Sequence, residues 1–427
     1  MARVRCLTLT ARLAATVVIL LAGLDGSAAF AGSYCERIEQ RCSSHETEDD
    51  RPAELAPAVW SVIGPPVYPV KGTDGRIQLA YEILFTNVVA DAVRILSVEM
   101  IDPDEDDALV GEDSVLAIDG TDVTSRARIF SAPSTLDGDN YSALLPPGQS
   151  GLMYVNLTFE DRRDVPRRIA HRVTVSQDVS GQPESTAVGG FAKVSRVEAV
   201  VVKPLLRGDR WVDADGCCSI IGPHRFTILP LNGSLWPAQR FAIDFVQLDE
   251  EGRLFEGDLK DLANWHYFGA DVLAAASGRV IEVVDDLPDQ VPGALPSDIT
   301  IETASGNHVI MDIGNGRFAL YAHMIPGSIV VEEGQFVRAG QKLGQLGNSG
   351  NTDAPHLHFQ ITDGPGDLNS VGLPFVFDRM AYQGRLVGTF AEVDEMFETG
   401  GAFLIDDSDT GRRTRQMPLS LDVLGFR

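Results

Sequence analysis

Two histidines one residue apart, His356 and His358 in the stretch GNSGNTDAPHLHFQ (residues 347–360), are where this sequence could do chemistry. On a β-strand, residues i and i+2 share a face, so the two imidazoles stand side by side while Leu357 turns the other way. Such a pair can serve a metal. A catalytic zinc takes three protein ligands and keeps one position for water. It lowers the pKa of that water and polarises a carbonyl. A nearby base must accept the water's proton, and a donor must support the developing oxyanion. The competing reading is a strand that carries two hydrogen-bonded histidines.

The elements that must position these residues read as strands. From about residue 201 the segments RFAIDFVQL, DVLAAASGRVIEVVDD, DITIETASG, NHVIMDIGNG, RFALYAHM and HLHFQITDG follow one another, joined by glycine-containing turns. Helical periodicity is nearly absent, which predicts an antiparallel β domain over residues 201–390. Upstream, residues 55–200 hold RIQLAYEILFTN, AVRILSVEMID, SALLPPGQSGLMYVNLTFE and RIAHRVTVSQDV, which alternate apolar and polar residues between turn clusters. That pattern predicts a β-sandwich of immunoglobulin-like type. His171 falls in one of its strands and reads as structural. The connection DDLPDQVPGALPSDI, residues 285–299, carries Pro288, Pro292 and Pro296, which oppose regular structure. Long loops in compact domains are often functional, and this one is expected to wall a groove. The tail, residues 391–427, has no site signal and is expected to add or cover an edge strand.

Composition bounds the function. The chain has 427 residues, 41 Gly and 23 Pro, with 44% hydrophobic and 22% charged residues, as a turn-rich β protein of two or three domains would. Residues 1–31 read as a signal peptide. Arg3, Arg5 and Arg12 precede the apolar run LAATVVILLAGL, and Ala29 and Ala31 offer a cleavage site before Gly32. The run is short for a membrane-spanning helix, and no later segment is apolar enough to span, so a secreted or periplasmic protein is expected. Residues 32–54 read as a polar linker. Cys35, Cys42, Cys217 and Cys218 remain after cleavage, an even number suited to an oxidising compartment. Cys35 and Cys42 could close a small loop. Cys217 and Cys218 are expected to pair with other cysteines rather than with each other, because a bridge between neighbours strains the peptide. The net charge of −26 offers no basic face for nucleic acid.

The segments GADVLAAASGRVIEVV, GNHVIMDIGNGRFALYAHM and VEEGQFVRAGQKLGQLGNSGNTDAPHLHF closely resemble the lysostaphin-type (LytM-like) zinc peptidases of bacterial cell walls. The resemblance runs from about residue 240 to 363. It implies a small β-barrel-like fold, the duplicated hybrid motif, with an open groove for a peptide. It also implies that His358 ligates zinc, that His356 works on the water, that His323 of YAHM is the second catalytic histidine, and that Asp244 of RFAIDF is the carboxylate ligand. His308 and His266 match no family ligand and read as structural.

One departure stands out. The family usually supplies its remaining ligand from H-x-x-x-D, and four residues before Asp244 stands Arg240. Arginine offers no lone pair to a metal. His224, twenty residues before Asp244, is the nearest histidine in sequence. The expected function is a secreted zinc endopeptidase that cuts peptidoglycan stems or cross-bridges. The alternative is a metal-poor pseudoenzyme of the same fold that binds wall peptides or activates a partner hydrolase. A third class is an exported adhesive or structural β protein.

Overall fold

Strand Ile77–Asn87 (IQLAYEILFTN) organises the N-terminal half. It pairs antiparallel with Ala58–Val62 on one side and with Ser150–Phe159 on the other. A second sheet joins Val93–Asp102, Arg168–Gln177 and Ser185–Lys193. Leu79, Tyr81, Ile83 and Phe85 meet Val98, Met100, Val173 and Val175 in one core, so the expected sandwich is the observed one. The computed structural model describes residues 52–426 apart from 106, 113, 118–126, 130–142, 178–182, 220–221 and 389. The signal segment and most of the linker, with Cys35, Cys42 and His45, lie outside the described residues.

His171 sits inside this sandwich, fully buried. Its Nδ1 lies 3.1 Å from the Gly190 carbonyl, to which it donates, and its Nε2 accepts from the Tyr81 hydroxyl at 3.0 Å. Both ring nitrogens are satisfied in the neutral form. Burial holds the imidazole pKa down at about 4. It is the structural histidine that its strand position suggested.

Alternation predicts that the other pleat of Ile77–Asn87 faces water. Instead Ala80 and Glu82 are buried too. The reason is that residues 55–427 form one compact unit. Ala80 joins the core of the C-terminal half, while Ile63, Leu152 and Tyr154 pack against Ile228 from that half. A sheet covered on both faces loses its polar stripe.

The C-terminal half is built on a twelve-stranded sheet. Its central order is Gly278–Val284, Asn307–Gly314, Arg317–Met324, Leu357–Thr362, Ile243–Gln247, Gly208–Asp213, Asp422–Phe426 and Met380–Leu386. Trp211, Phe245, Tyr321, Phe359, Phe375 and Phe377 fill the core beneath it. The strand from the tail is internal rather than at an edge: Asp422–Phe426 pairs with Gly208–Asp213 and with Met380–Leu386, and all five residues are buried.

Cys217 and Cys218 are joined to each other, which corrects the expected pairing. Both are buried in the core of the C-terminal half, and no other cysteine lies among the described residues. Among the described residues each has only its neighbour as a cysteine partner. No helix among the described residues is long and apolar enough to cross a membrane.

Candidate metal centre

Three adjacent strands set the site. Asp244 pairs in register with His358, and His358 pairs on its other side with Ala322. Asp244, His358 and Ala322 therefore share one face of the sheet. His356 lies two residues before His358 and joins it on that face, as the period of the strand requires. His323 follows Ala322 and would point into the core from a regular strand. Its backbone instead adopts φ of 63°, a region that non-glycine residues seldom occupy. The turn re-aims the ring, which stands 4.6 Å from that of His356 between centroids.

The GNSGN segment fixes His323. The Ser349 carbonyl accepts from His323 Nδ1 at 2.7 Å. Ser349 is held in turn by its hydroxyl, which donates to Met324 O and accepts from the Asn307 amide. Two glycines permit this approach. A Cβ on Gly306 would sit 2.2 Å from Ser349 O, and one on Gly350 would sit 2.4 Å from the Gly306 nitrogen. Asn348 anchors the long connection: its amide donates to Asp289 Oδ1, and its Nδ2 donates to Gln290 O. Residues 285–299 therefore lie against the loop that leads to His356.

The two ligands expected from sequence come together with a third group. His358 Nδ1 is 2.9 Å from Asp244 Oδ1, and His224 Nε2 is 3.3 Å from Asp244 Oδ2. The ligating atoms of His224, Asp244 and His358 lie within 4.8 Å of one another. His224 was reached in sequence only as a distant candidate, and the structure brings it in. The chain leaves the single turn Pro223–Phe226, forms a hairpin from Leu229–Leu231 and Ser234–Trp236, and returns to strand Ile243–Gln247. Asn232 and Gly233 at the hairpin tip have φ of 50° and 77°, the conformation an Asn-Gly hairpin turn demands. The hairpin closes the twenty-residue gap. The dipeptide Asn232-Gly233 between apolar residues was the signal that could have revealed it.

Arg240 is not in the centre. Its Nε and Nη2 bond Glu82 Oε2 at 2.9 and 2.6 Å, and Nη2 also bonds Ile63 O at 2.9 Å. Residue 240 therefore turns to Glu82, and His224 is the histidine that stands beside Asp244. Arginine occupies that sequence position because it serves a buried ion pair elsewhere.

The donor set fits a divalent cation. His358 Nε2 donates to Gln360 Oε1 at 3.0 Å, which leaves Nδ1 with a lone pair aimed at the Asp244 carboxylate. His224 Nδ1 lies 3.5 Å from Asp215 Oδ2, which leaves its Nε2 facing the other Asp244 oxygen. The buried Asp244 carboxylate draws positive charge to this point, which a proton on His224 supplies here and a divalent cation would replace. Burial lowers the His224 pKa, but Asp244 and Asp215 more than offset it and raise it to about 10. Burial also disfavours the Asp244 carboxylate, yet His224 and His356 hold its pKa well below the usual range. Gln360 orients the His358 ring from behind, a role ordinary for partners of metal-bound histidine, and Asp215 accepts from the His224 backbone amide at 2.9 Å. Sequence reasoning missed both, although Gln360 shares the face of His358 at i+2.

His356 and His323 complete the face. His356 Nδ1 donates to Ala354 O at 2.9 Å, so its bare Nε2 points to Asp244 Oδ1, 3.5 Å away. His323 likewise donates through Nδ1 and keeps Nε2 free. Burial, then the neighbouring His356 and His358, holds the His323 pKa well below its ordinary value. His356 and Asp244 are the members most open to solvent. His308 is buried with Nδ1 bonded to Gly306 O, and His266 is exposed; neither belongs to the metal-competent groups among the described residues.

Residues 264–370 match the description of peptidase family M23. That segment contains His323, His356 and His358 but begins after His224 and Asp244. Over 57 residues the chain is 39% identical to the peptidoglycan DD-endopeptidase ShyA of Vibrio cholerae serotype O1, a stretch of 13% of this chain and 13% of that protein. The chain thus matches about an eighth of that relative's length. Among solved structures, it is similar to the catalytic domain of lysostaphin from Staphylococcus simulans, with 22% identity, coverage of 36% of this chain and 80% of that one, and a TM-score of 0.20. It is also similar to a zinc containing peptidase from Vibrio cholerae, with 12% identity, coverage of 72% and 83%, and a TM-score of 0.20.

Proposed function

We propose, on the match of residues 264–370 to peptidase family M23, that this chain is an exported zinc endopeptidase that hydrolyses peptide bonds in peptidoglycan stems or cross-bridges. Residues 1–31 act as the signal peptide, 32–54 as linker, 55–200 as the sandwich, and 201–390 as the peptidase part. The observation that carries the reading is the convergence of His224 Nε2, the Asp244 carboxylate and His358 Nδ1 within 4.8 Å. Three protein ligands leave one position for water, the arrangement of a catalytic rather than a structural zinc.

Zinc, when bound there, lowers the pKa of a water and polarises the scissile carbonyl. The protein's own groups do the rest. His356 is the general base: its Nε2 is unprotonated, and its Nδ1–H is fixed on Ala354 O, so it takes the water's proton at Nε2. The same nitrogen then gives that proton to the leaving amine. His323, held by Ser349 O, presents an unprotonated Nε2 beside His356 and accepts a hydrogen bond from the attacking water or the leaving amine. Gln360 keeps the His358 ring in place, and Asp215 holds the His224 backbone.

The pseudoenzyme reading rested on Arg240, and Arg240 is engaged with Glu82. The named relative is a peptidoglycan DD-endopeptidase, which supports the same substrate class here. The test is digestion of purified sacculi followed by mass spectrometry of the released fragments. Wild type should generate new amino termini within peptide stems or bridges. His356→Ala should keep its zinc and release nothing. A fully metallated wild type that cuts no peptide across a broad set of walls would overturn the reading.

A further inference from the structure

His224 and Asp244 each lie within four residues of an arginine, Arg225 and Arg240, and both arginines end on one carboxylate. Glu82 belongs to strand Ile77–Asn87 of the sandwich, and its side chain is 1% exposed. Its Oε1 accepts from Arg225 Nε at 2.9 Å. Its Oε2 accepts from Arg240 Nε at 2.9 Å and from Nη2 at 2.6 Å. Arg225 directly follows His224, and Arg240 lies four residues before Asp244.

The guanidinium groups reach further into the sandwich. Arg225 Nη2 donates to Tyr81 O at 3.1 Å and to Val155 O at 3.3 Å. Arg240 Nη2 donates to Ile63 O at 2.9 Å. Planar forks that bond a carboxylate and carbonyls together set orientation as well as distance. The two ligands depend on this unequally. Asp244 is on a strand paired on both sides. His224 is on a single helical turn outside every sheet, and its backbone is otherwise tied to Asp215 Oδ2 at 2.9 Å.

We propose that Glu82 is a positioning residue for the metal centre, holding His224 through Arg225 and the approach to Asp244 through Arg240, so that the sandwich is a working part of the peptidase. This rests on the zinc reading above. Apolar docking adds to this: Ile63, Leu152 and Tyr154 pack against Ile228, although Arg240 also bonds the Ile63 carbonyl and Arg225 lies over the Tyr154 ring. The two halves therefore have a means of staying together when the charges are removed.

The experiment uses the full chain, loaded with zinc or cobalt. Zinc affinity is measured by chelator competition, the cobalt ligand-field spectrum reports coordination geometry, and urea titration reports stability. Glu82→Gln should lower zinc affinity by about 10- to 100-fold, the usual effect of losing a group that orients a ligand, and should alter the cobalt spectrum. Glu82→Gln leaves two arginines with one neutral partner and could unfold the chain. The triple variant Glu82→Leu, Arg225→Met, Arg240→Met removes all three charges and fills the space with apolar groups, a replacement that buried ion clusters tolerate. It should fold and still bind zinc about 10-fold or more weakly. Wild-type affinity and an unchanged cobalt spectrum in the folded variants would overturn the positioning role while leaving the metal centre standing. A wild type that binds neither metal would overturn the zinc reading and the positioning role together.

Discussion

Replacing Arg240 by histidine recreates the H-x-x-x-D spacing of the family, yet the structure predicts that it harms the protein. The Arg240 side chain is fully buried, and it donates three hydrogen bonds, two to Glu82 and one to Ile63 O. Removing one partner of a buried ion pair costs on the order of 3–5 kcal/mol, because the remaining charge stays out of water. Glu82 keeps Arg225 on its other oxygen, so the lower end applies, about 3 kcal/mol. The orphaned carbonyl of Ile63 adds about 1 kcal/mol. A histidine is also too short to reproduce the fork. Urea titration followed by tryptophan fluorescence, with zinc content measured on the same samples, gives both numbers. Arg240→His should unfold at clearly lower urea and hold no more zinc than wild type. A variant as stable as wild type that gains zinc over a metal-poor parent would refute the reasoning and return Arg240 to the centre.

Other outcomes follow from the same geometry. His171 has a folded pKa of about 4 against about 6.5 when unfolded. The unfolded chain therefore binds more protons between those values, and stability rises with pH across that window. The contribution, about 3 kcal/mol, is fully present above pH 6.5 and lost as pH falls to about 4. His171→Gln should flatten that part of the stability curve, and an identical slope in the variant would show that the buried imidazole is not its source. The connection 285–299 lies against Asn348 of the loop leading to His356. Replacing it by a short glycine-containing turn should change preference within a panel of wall peptides by severalfold without unfolding the chain, and an unchanged preference would reject its role as a wall of the groove.

What the sequence disclosed follows a physical pattern. The shared face of His356 and His358 was legible because a strand repeats every two residues, and register places Asp244 beside them. His323 was legible from the resemblance but not from periodicity, since a left-handed backbone re-aims it. His224 was obscured because its spacing from Asp244 is set by a hairpin rather than by one regular element. The meaning of Arg240 was hidden for a different reason. Its partner Glu82 is 158 residues away, and nothing local marks a glutamate in an alternating strand as buried. The same long-range contact covers the second face of Ile77–Asn87. The tail was expected to add or cover an edge strand, and the internal place of Asp422–Phe426 was not legible because DVLGF gives little sign of which neighbours it will join.

The central claim is that His224, Asp244 and His358 form one metal centre. Zinc per chain, measured by elemental mass spectrometry after exhaustive dialysis, tests it most directly. Wild type should retain one zinc per chain, and His224→Ala should fall well below that, along with Asp244→Ala and His358→Ala. A His224→Ala variant that stays as fully loaded as wild type, or a folded wild type that retains no zinc, would contradict the account.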